Sequence, residues 1–315
     1  MQNKILIILT AVMIFLFITS ITTGSMSISF PFKNTTEKAI FMMRLQGGIF
    51  ALLIGGLLSL SGYLYQLVFA NPLTDPFIIG VSHICAIGAV LSFTYFKWAT
   101  GYQVTFSVLL ALVYIFMFYL ILVKFGFEKN REKFLLLGLG FNIIFSSVLT
   151  FILLQSQQLS QIMFWMMGSL NKGNWTNIIV LTSVMVLTLV IIAIYRRNLF
   201  GLHFDEDIVI TSGIDYNKGK IVAFITASVI TAFCVSYAGI IGFVGLIIPN
   251  IGRKYFYTDI LKNMLYNIIA GGSLLLLADI FSRVWIRPII LPVGIVTGII
   301  GGIFFVSLLF ISNKE

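Results

Sequence analysis

Nine windows of the chain are apolar on every side of a helical wheel and are separated by short polar connections: 5–22, 47–69, 77–96, 104–123, 134–154, 175–195, 221–237, 265–281 and 292–311. Each is close to the roughly 20 residues that a helix rising about 1.5 Å per residue needs to cross a hydrocarbon layer. A one-sided stripe would indicate a helix lying on a soluble core; apolar residues all round indicate burial in protein or lipid. A tenth stretch, 238–251, is rich in glycine and too short to cross alone. It is expected to be a broken or partly re-entrant helix buried against its neighbours, because exposed irregular backbone has no hydrogen-bond partner in lipid. The run after Lys4 has the outline of a secretory leader. Its length, and the poor cleavage site in Thr22-Thr23-Gly24-Ser25-Met26-Ser27, favour a retained first helix.

Composition gives the same picture. Of 315 residues 59% are hydrophobic and only 10% charged, with a mean hydropathy of +1.05. A soluble domain could not cover itself with so few charges, so lipid is its solvent. The expectation is an all-α, polytopic protein of about ten transmembrane helices, forming a single membrane domain over 1–315.

The net charge of +9 would suggest nucleic acid in a soluble chain, but here the basic residues lie between the apolar runs and set topology instead. With both termini inside, Lys33, Lys38, Arg44, Lys97, Lys172, Arg283 and Arg287 fall outside. These seven leave thirteen of the 20 Lys and Arg within, as the positive-inside rule requires.

Small residues mark helix contacts. Gly294, Gly298 and Gly302 recur every fourth residue in the last window, as do Gly55 and Ser59 in the second, a spacing that lets two backbones approach closely in lipid. Cys85 and Cys234 lie in separate apolar runs without metal-ligand spacing and read as packing residues. Only two histidines are present. His203 falls in a polar connection and is expected to be solvent-exposed. No Asp/Glu/His cluster points to a structural metal site.

Several chemistries are argued against. There is no Gly-x-x-x-x-Gly-Lys-Ser/Thr phosphate loop, so ATP-driven work would need a partner. Mid-membrane carboxylates, which ion-coupled carriers use, are lacking; only Asp279, near a window's end, comes close. A membrane-embedded enzyme would require a polar cluster that the windows do not contain.

Three ordered stretches carry a resemblance. The first holds Arg44-Leu45-Gln46-Gly47, Leu60-Ser61-Gly62-x-x-x-Gln66 and Asn71-Pro72-Leu73-Thr74-Asp75-Pro76-x-x-x-Gly80-Val81-Ser82; its two prolines forbid a continuous helix and demand a tight turn. The second is Gly239-Ile240-Ile241-Gly242-Phe243-Val244-Gly245-Leu246-Ile247-Ile248-Pro249-Asn250-Ile251-x-Arg253. The third is Ala278-Asp279-x-x-x-Arg283 followed by Leu291-Pro292-Val293-Gly294-Ile295-x-Thr297. Together they resemble the FecCD-type permeases, the membrane subunits of bacterial ABC importers for ferric siderophores, haem and cobalamin.

The resemblance implies the ABC type II importer permease fold in the bacterial cytoplasmic membrane, with ATP and Mg on a dimer of a cytoplasmic ABC ATPase and no cofactor on this chain. It also implies an extracytoplasmic substrate-binding (lipo)protein and a second permease chain, identical or related. Siderophore leads among cargoes, haem follows, cobalamin is third, and an ion-coupled carrier is the rival from another class. The segment Asp205-Glu206, running to Gly213-Ile214, matches the short ATPase-coupling helices of such importers, and its acidic start and glycine end suit a short helix.

Arg44 and Arg283 match positions that receive carboxylates of the binding protein, with Arg287 as an extra candidate because Gly47 replaces a second family arginine. For Arg283 a pairing with Asp279, one turn back, stands equally. Gln66, Asn71, Pro72, Pro76, Gly80, Ser82, His83, Pro249 and Asn250 fall at pathway and gate positions. His83 and Asn250 depart from the family pattern, and His83 is read as a packing residue in preference to a ligand.

Overall fold

A computed structural model describes residues 1–24, 34–95, 100–125, 131–170, 173–204, 206–256, 259–286 and 289–312. All regular structure among them is helical: α1 (Gln2–Thr22), α2 (Thr35–Phe69), α3 (Val81–Tyr95), α4 (Thr100–Phe125), α5 (Arg131–Gln155), α6 (Leu159–Met166), α7 (Trp175–Ile194), α8 (Arg196–Gly201), α9 (Glu206–Thr211), α10 (Tyr216–Ala238), α11 (Val244–Phe256), α12 (Ile260–Val284) and α13 (Val293–Ser312). Seven of these are long and apolar enough to cross a membrane: α1, α2, α4, α5, α7, α10 and α12. Their outward faces carry large apolar side chains, such as Ile7, Ile8 and Phe15 of α1 and Ile143, Ile144 and Phe151 of α5, as a lipid-facing surface requires.

Each of the nine apolar windows holds a helix. The third starts four residues late, at Val81, because the two prolines and Gly80 (φ +88°) keep the preceding segment in turns. The short tenth stretch is displaced: residues 239–243 are not helical, with Gly239 at φ +75° and Phe243 at φ +68°, and α11 runs on to Phe256. The left-handed backbone at these two positions ends α10 and delays the next helix. The short helices α6 and α8 have no counterpart in the expected windows, being shorter than the hydropathy period that finds spans.

Chain caps are supplied locally. Asp215 caps α10 and Asp259 caps α12, each accepting the backbone N–H three residues on, from Lys218 and Lys262. Burial opposes ionisation of the Asp259 carboxyl, but hydrogen bonds from Lys262 and its ammonium hold it below the usual carboxylate range.

The residues cluster into two compact units, with α2 and α7 contributing to both. In the first (Met1–Leu60, Met167–Met185, Ile241–Glu315), α1 runs parallel to α12. Gln2 accepts from Lys262 Nζ at one end and Ser20 meets Arg283 at the other. α2 runs antiparallel to α12, and a Cβ on Gly55 would collide with the Gly271 carbonyl oxygen. At this crossing the Gly55/Ser59 spacing is what lets the backbones touch, and Ser59 Oγ donates to Asn267 Oδ1 at 2.9 Å. The last helix behaves differently from expectation. Cβ atoms on Gly298 and Gly302 would meet nothing within 4 Å, whereas one on Gly301 would strike the Phe243 ring. The packed face of α13 is therefore the one through Gly301, about 60° round the helix from Gly298 and about 100° from Gly302.

In the second unit (Ser61–Met166, Val186–Ile240), the end of α2 runs antiparallel to α10. Ser61 Oγ lies 2.8 Å from Thr231 Oγ1, and Tyr65 Oη 2.7 Å from Ser228 Oγ. α3 meets α4 at Gly88, where a Cβ would come within 2.7 Å of the Ser107 Cα. α6 presses Ile162 and Trp165 onto Ala86, Val90 and Phe93 of α3. Cys85 and Cys234 are both free and buried in this unit.

Candidate functional site

The segment between α7 and α10 folds into a small platform. A six-residue helix is too short to be stable by itself, so the position of α9 is set by what it touches. Val209, buried on its inner face, packs on Gly201 of α8, where an added Cβ would stand 3.0 Å from the valine. Gly213 (φ +69°) closes the helix: its N–H donates to Ile210 O and the N–H of Ile214 to Val209 O. This is the paired bonding of a Schellman end, with Ile214 folded back towards Val209. The acidic start and the glycine end read from the sequence thus occupy Glu206 and Gly213; Asp205 lies outside the described residues.

The platform is held from α10. Asn198 Nδ2 donates to the carbonyl of Asp215 at 3.0 Å, and Gly219 lies so near α8 that a Cβ would come within 2.6 Å of Asn198 O. Lys220, its side chain 3% exposed, reaches Glu206 Oε2 at 3.2 Å and sits 4.3 Å from the centre of the Tyr216 ring. Glu206 Oε1 is buried without a hydrogen-bond partner among the described residues. His203 is not a free surface residue: its Nε2 is 3.1 Å from Tyr63 Oη and its Nδ1 3.2 Å from Phe200 O, which locks α8 to α2. On either flank of Val209, α9 leaves Ile208 59% and Ile210 56% exposed. Sequence reading missed Lys220, because nothing in the spacing shows that a cation at the start of a span turns inward instead of reaching out to water.

The motif between α2 and α3 forms a turn in the same unit, exposed at Ala70, Pro72 and Leu73 and buried from Thr74 to Pro76. Ala70 takes φ +48°, Asn71 Oδ1 accepts from Leu73 N at 2.9 Å, and Asp75 Oδ1 accepts from Phe77 N at 3.2 Å. These side chains stand in for the helical bonds that Pro72 and Pro76 interrupt. Two distant side chains satisfy the turn's carbonyls: Tyr114 Oη donates to Ile79 O and Asn142 Nδ2 to Phe77 O. Gly80 sits directly below Tyr114, with room for a Cβ only 3.2 Å from its hydroxyl. Gln66 and Ser82 are buried beside this turn in sequence. Thr74 Oγ1 and Ser82 Oγ are buried without a hydrogen-bond partner among the described residues, and the buried His83 and Asn142 side chains lie against each other.

Pro249 and Asn250 belong to the first unit. Pro249 lies inside α11 and removes the N–H that Gly245 O would have met, while Asn250 Nδ2 donates to Leu246 O at 2.8 Å. Arg44 and Arg283 converge. Arg44 Nη1 reaches the carbonyls of Ile21 (3.4 Å) and Thr22 (3.2 Å), and Arg283 Nη1 that of Ser20 (3.2 Å). Arg283 Nη2 also pairs with Asp279, the partner one turn back. Arg287 lies outside the described residues.

The chain is a helical, multi-pass membrane protein with an anchored platform between two of its spans. The chain belongs to the FecCD transport family, whose pattern matches residues 5–311. It is 31% identical to the cobalamin import system permease protein of Halobacterium salinarum, over 90% of this chain and 76% of the relative. It is 27% identical to the hemin transport system permease protein of Yersinia pestis, over 93% and 91%. Its structure superposes with a TM-score of 0.87 and 27% identity on a chain from an inward-facing conformation of a transporter described as metal-chelate ABC type, covering 98% of this chain and 99% of that one.

The protein is thus the permease of an ABC importer of the class that carries metal chelates, haem, iron or cobalamin. It is a transport component and not an enzyme, and it works with an ATPase partner and a permease partner.

Proposed function

We propose that this permease imports a ferric siderophore into the cytoplasm of a bacterium, with both termini on the inner side and the 206–214 platform seated on the ATPase. The observation that carries the reading of the platform is its outer surface. Ile208 and Ile210 stand exposed on a six-residue helix, and the exposed Asp215 and Lys218 follow it along the chain. Apolar side chains rimmed by charge mark a surface that another protein covers. The metal-chelate relative, matched over almost the whole of both chains, supports an iron chelate as cargo; a ferric siderophore is such a compound.

The binding protein is proposed to dock at the end of the first unit that holds Arg44 and Arg283, with Arg287 four residues beyond Arg283 in sequence. An ion-coupled mechanism is disfavoured by Asp279. This carboxylate, the one nearest a span's centre, is already neutralised by Arg283.

Uptake of labelled ferric siderophore, haem and cobalamin by a deletion strain with and without the gene tests the cargo. Siderophore uptake that depends on the gene supports the proposal. Rescue confined to haem or to cobalamin replaces it with the cargo of the corresponding relative.

A further inference from the structure

We propose that Lys220 is a positioning residue for transport: its buried ion pair with Glu206 fixes α9 to the span α10, so that movement of α9 by the ATPase is delivered to α10. The proposal rests on the reading of the platform given above. Its ground is that the other ties in this region do different work. Asn198 and Gly219 join α8 to α10, the Schellman end closes α9 on itself, and Val209 joins α9 to α8. Among the described residues, the Lys220–Glu206 pair is what connects the first residue of α9 directly to a membrane span.

The chemistry of the pair suits a strut. A lysine at the mouth of a span ordinarily extends its ammonium to water along a flexible stem. Here the ammonium is withdrawn beneath the Tyr216 ring and onto a carboxylate, with a side chain 3% exposed against 18% for Glu206. Tyr216 is itself buried in the first turn of α10, so the ring and the carboxylate hold the cation from two sides. A desolvated pair of this kind adds little net stability, yet removing one partner alone strands the other charge, so the two groups hold each other in place. The second carboxylate oxygen, Oε1, is buried and has no partner among the described residues, where the pair is the main polar anchor of that side chain.

The test uses the complete transporter, with its ATPase, second permease chain and binding protein, in proteoliposomes supplied with labelled ferric siderophore, haemin and cobalamin in parallel. The reading is cargo moved per ATP hydrolysed. Lys220→Met is expected to lower that ratio by about tenfold while the ATPase still co-purifies in normal stoichiometry. Lys220→Arg, and the exchange of Lys220→Glu with Glu206→Lys, are expected to restore it to within about twofold.

An unchanged ratio in Lys220→Met overturns the proposal, as does loss of the ATPase in both Lys220→Met and Lys220→Arg. Ile208→Glu is made alongside. If it leaves the ATPase bound, the reading of the platform fails and takes this proposal with it. If it releases the ATPase while Lys220→Met keeps a normal ratio, only the role of Lys220 is lost.

Discussion

Arg44 and Arg283, carried on different helices, end on successive carbonyls of the last turn of α1: Arg283 on Ser20, Arg44 on Ile21 and Thr22. The last carbonyls of a helix have no partners within it, and the helix dipole adds negative charge there. α1 has no basic residue in its own last turn, so α2 and α12 supply the cations.

Removing Arg283 strands Asp279. With Arg283→Ala the carboxylate is buried and unpaired beside Ser20, and the expected loss is about 3–5 kcal/mol. The double change Asp279→Asn with Arg283→Gln removes both charges and is expected to lose clearly less than the sum of the single changes. Unfolding of the purified permease in detergent, run as a double-mutant cycle, checks this; strict additivity counts against the pairing.

The crossing of α2 and α12 depends on the absence of side chains. Gly271→Val drives a branched side chain into the backbone of Gly55 and the Cβ of Ser59, and a loss of about 1–3 kcal/mol is expected. Gly298→Ala, which has open space around it, is expected to stay within about 0.5 kcal/mol of wild type. Equal melting temperatures for the two variants would contradict the contact.

Four residues downstream in α2 the same crossing is keyed by hydrogen bonds. Ser59 donates to Asn267, whose amide nitrogen donates to Asn263 Oδ1 at 2.8 Å. Asn267→Ala breaks both links at once. Hydrogen bonds between membrane helices are worth about 0.6 kcal/mol on average and up to about 1.7, so a loss within that range is expected. Denaturant unfolding with Ser59→Ala as the partner variant measures the coupling.

The exposed isoleucines of α9 give a prediction that separates contact from folding. Ile208→Glu and Ile210→Glu put charge on a surface that already faces out, so the isolated permease is expected to melt within about 0.5 kcal/mol of wild type. Co-purification of the ATPase is expected to fall sharply, because a desolvated charge without a partner opposes docking. Retention of the ATPase by both variants would move the contact elsewhere.

How much of this was legible beforehand follows from the kind of signal each feature leaves. Spans are long runs of one chemical type, so all nine windows hold helices. Gly213 announces the end of α9 because only a residue without a Cβ accepts its backbone angles readily. Proline pairs likewise fix the turn before α3.

Relations between distant residues leave no such trace. The Gly294/Gly298/Gly302 repeat has the spacing of a packing face, yet Gly301 is the glycine under Phe243, since glycines at several phases cannot say which phase meets a neighbour. Lys220 and Glu206, fourteen residues apart, become partners only when α9 folds back on α10. His203 sat in a polar connection, and nothing local revealed that Tyr63 would reach it.

Accumulation of labelled cargo in vesicles holding the purified permease pair, measured with and without the ATPase and Mg-ATP, addresses the source of power. Concentration against the gradient only when the ATPase and nucleotide are both present is the predicted result. Uphill accumulation by the permease alone, under an imposed proton or sodium gradient, would contradict an account in which force enters through α9.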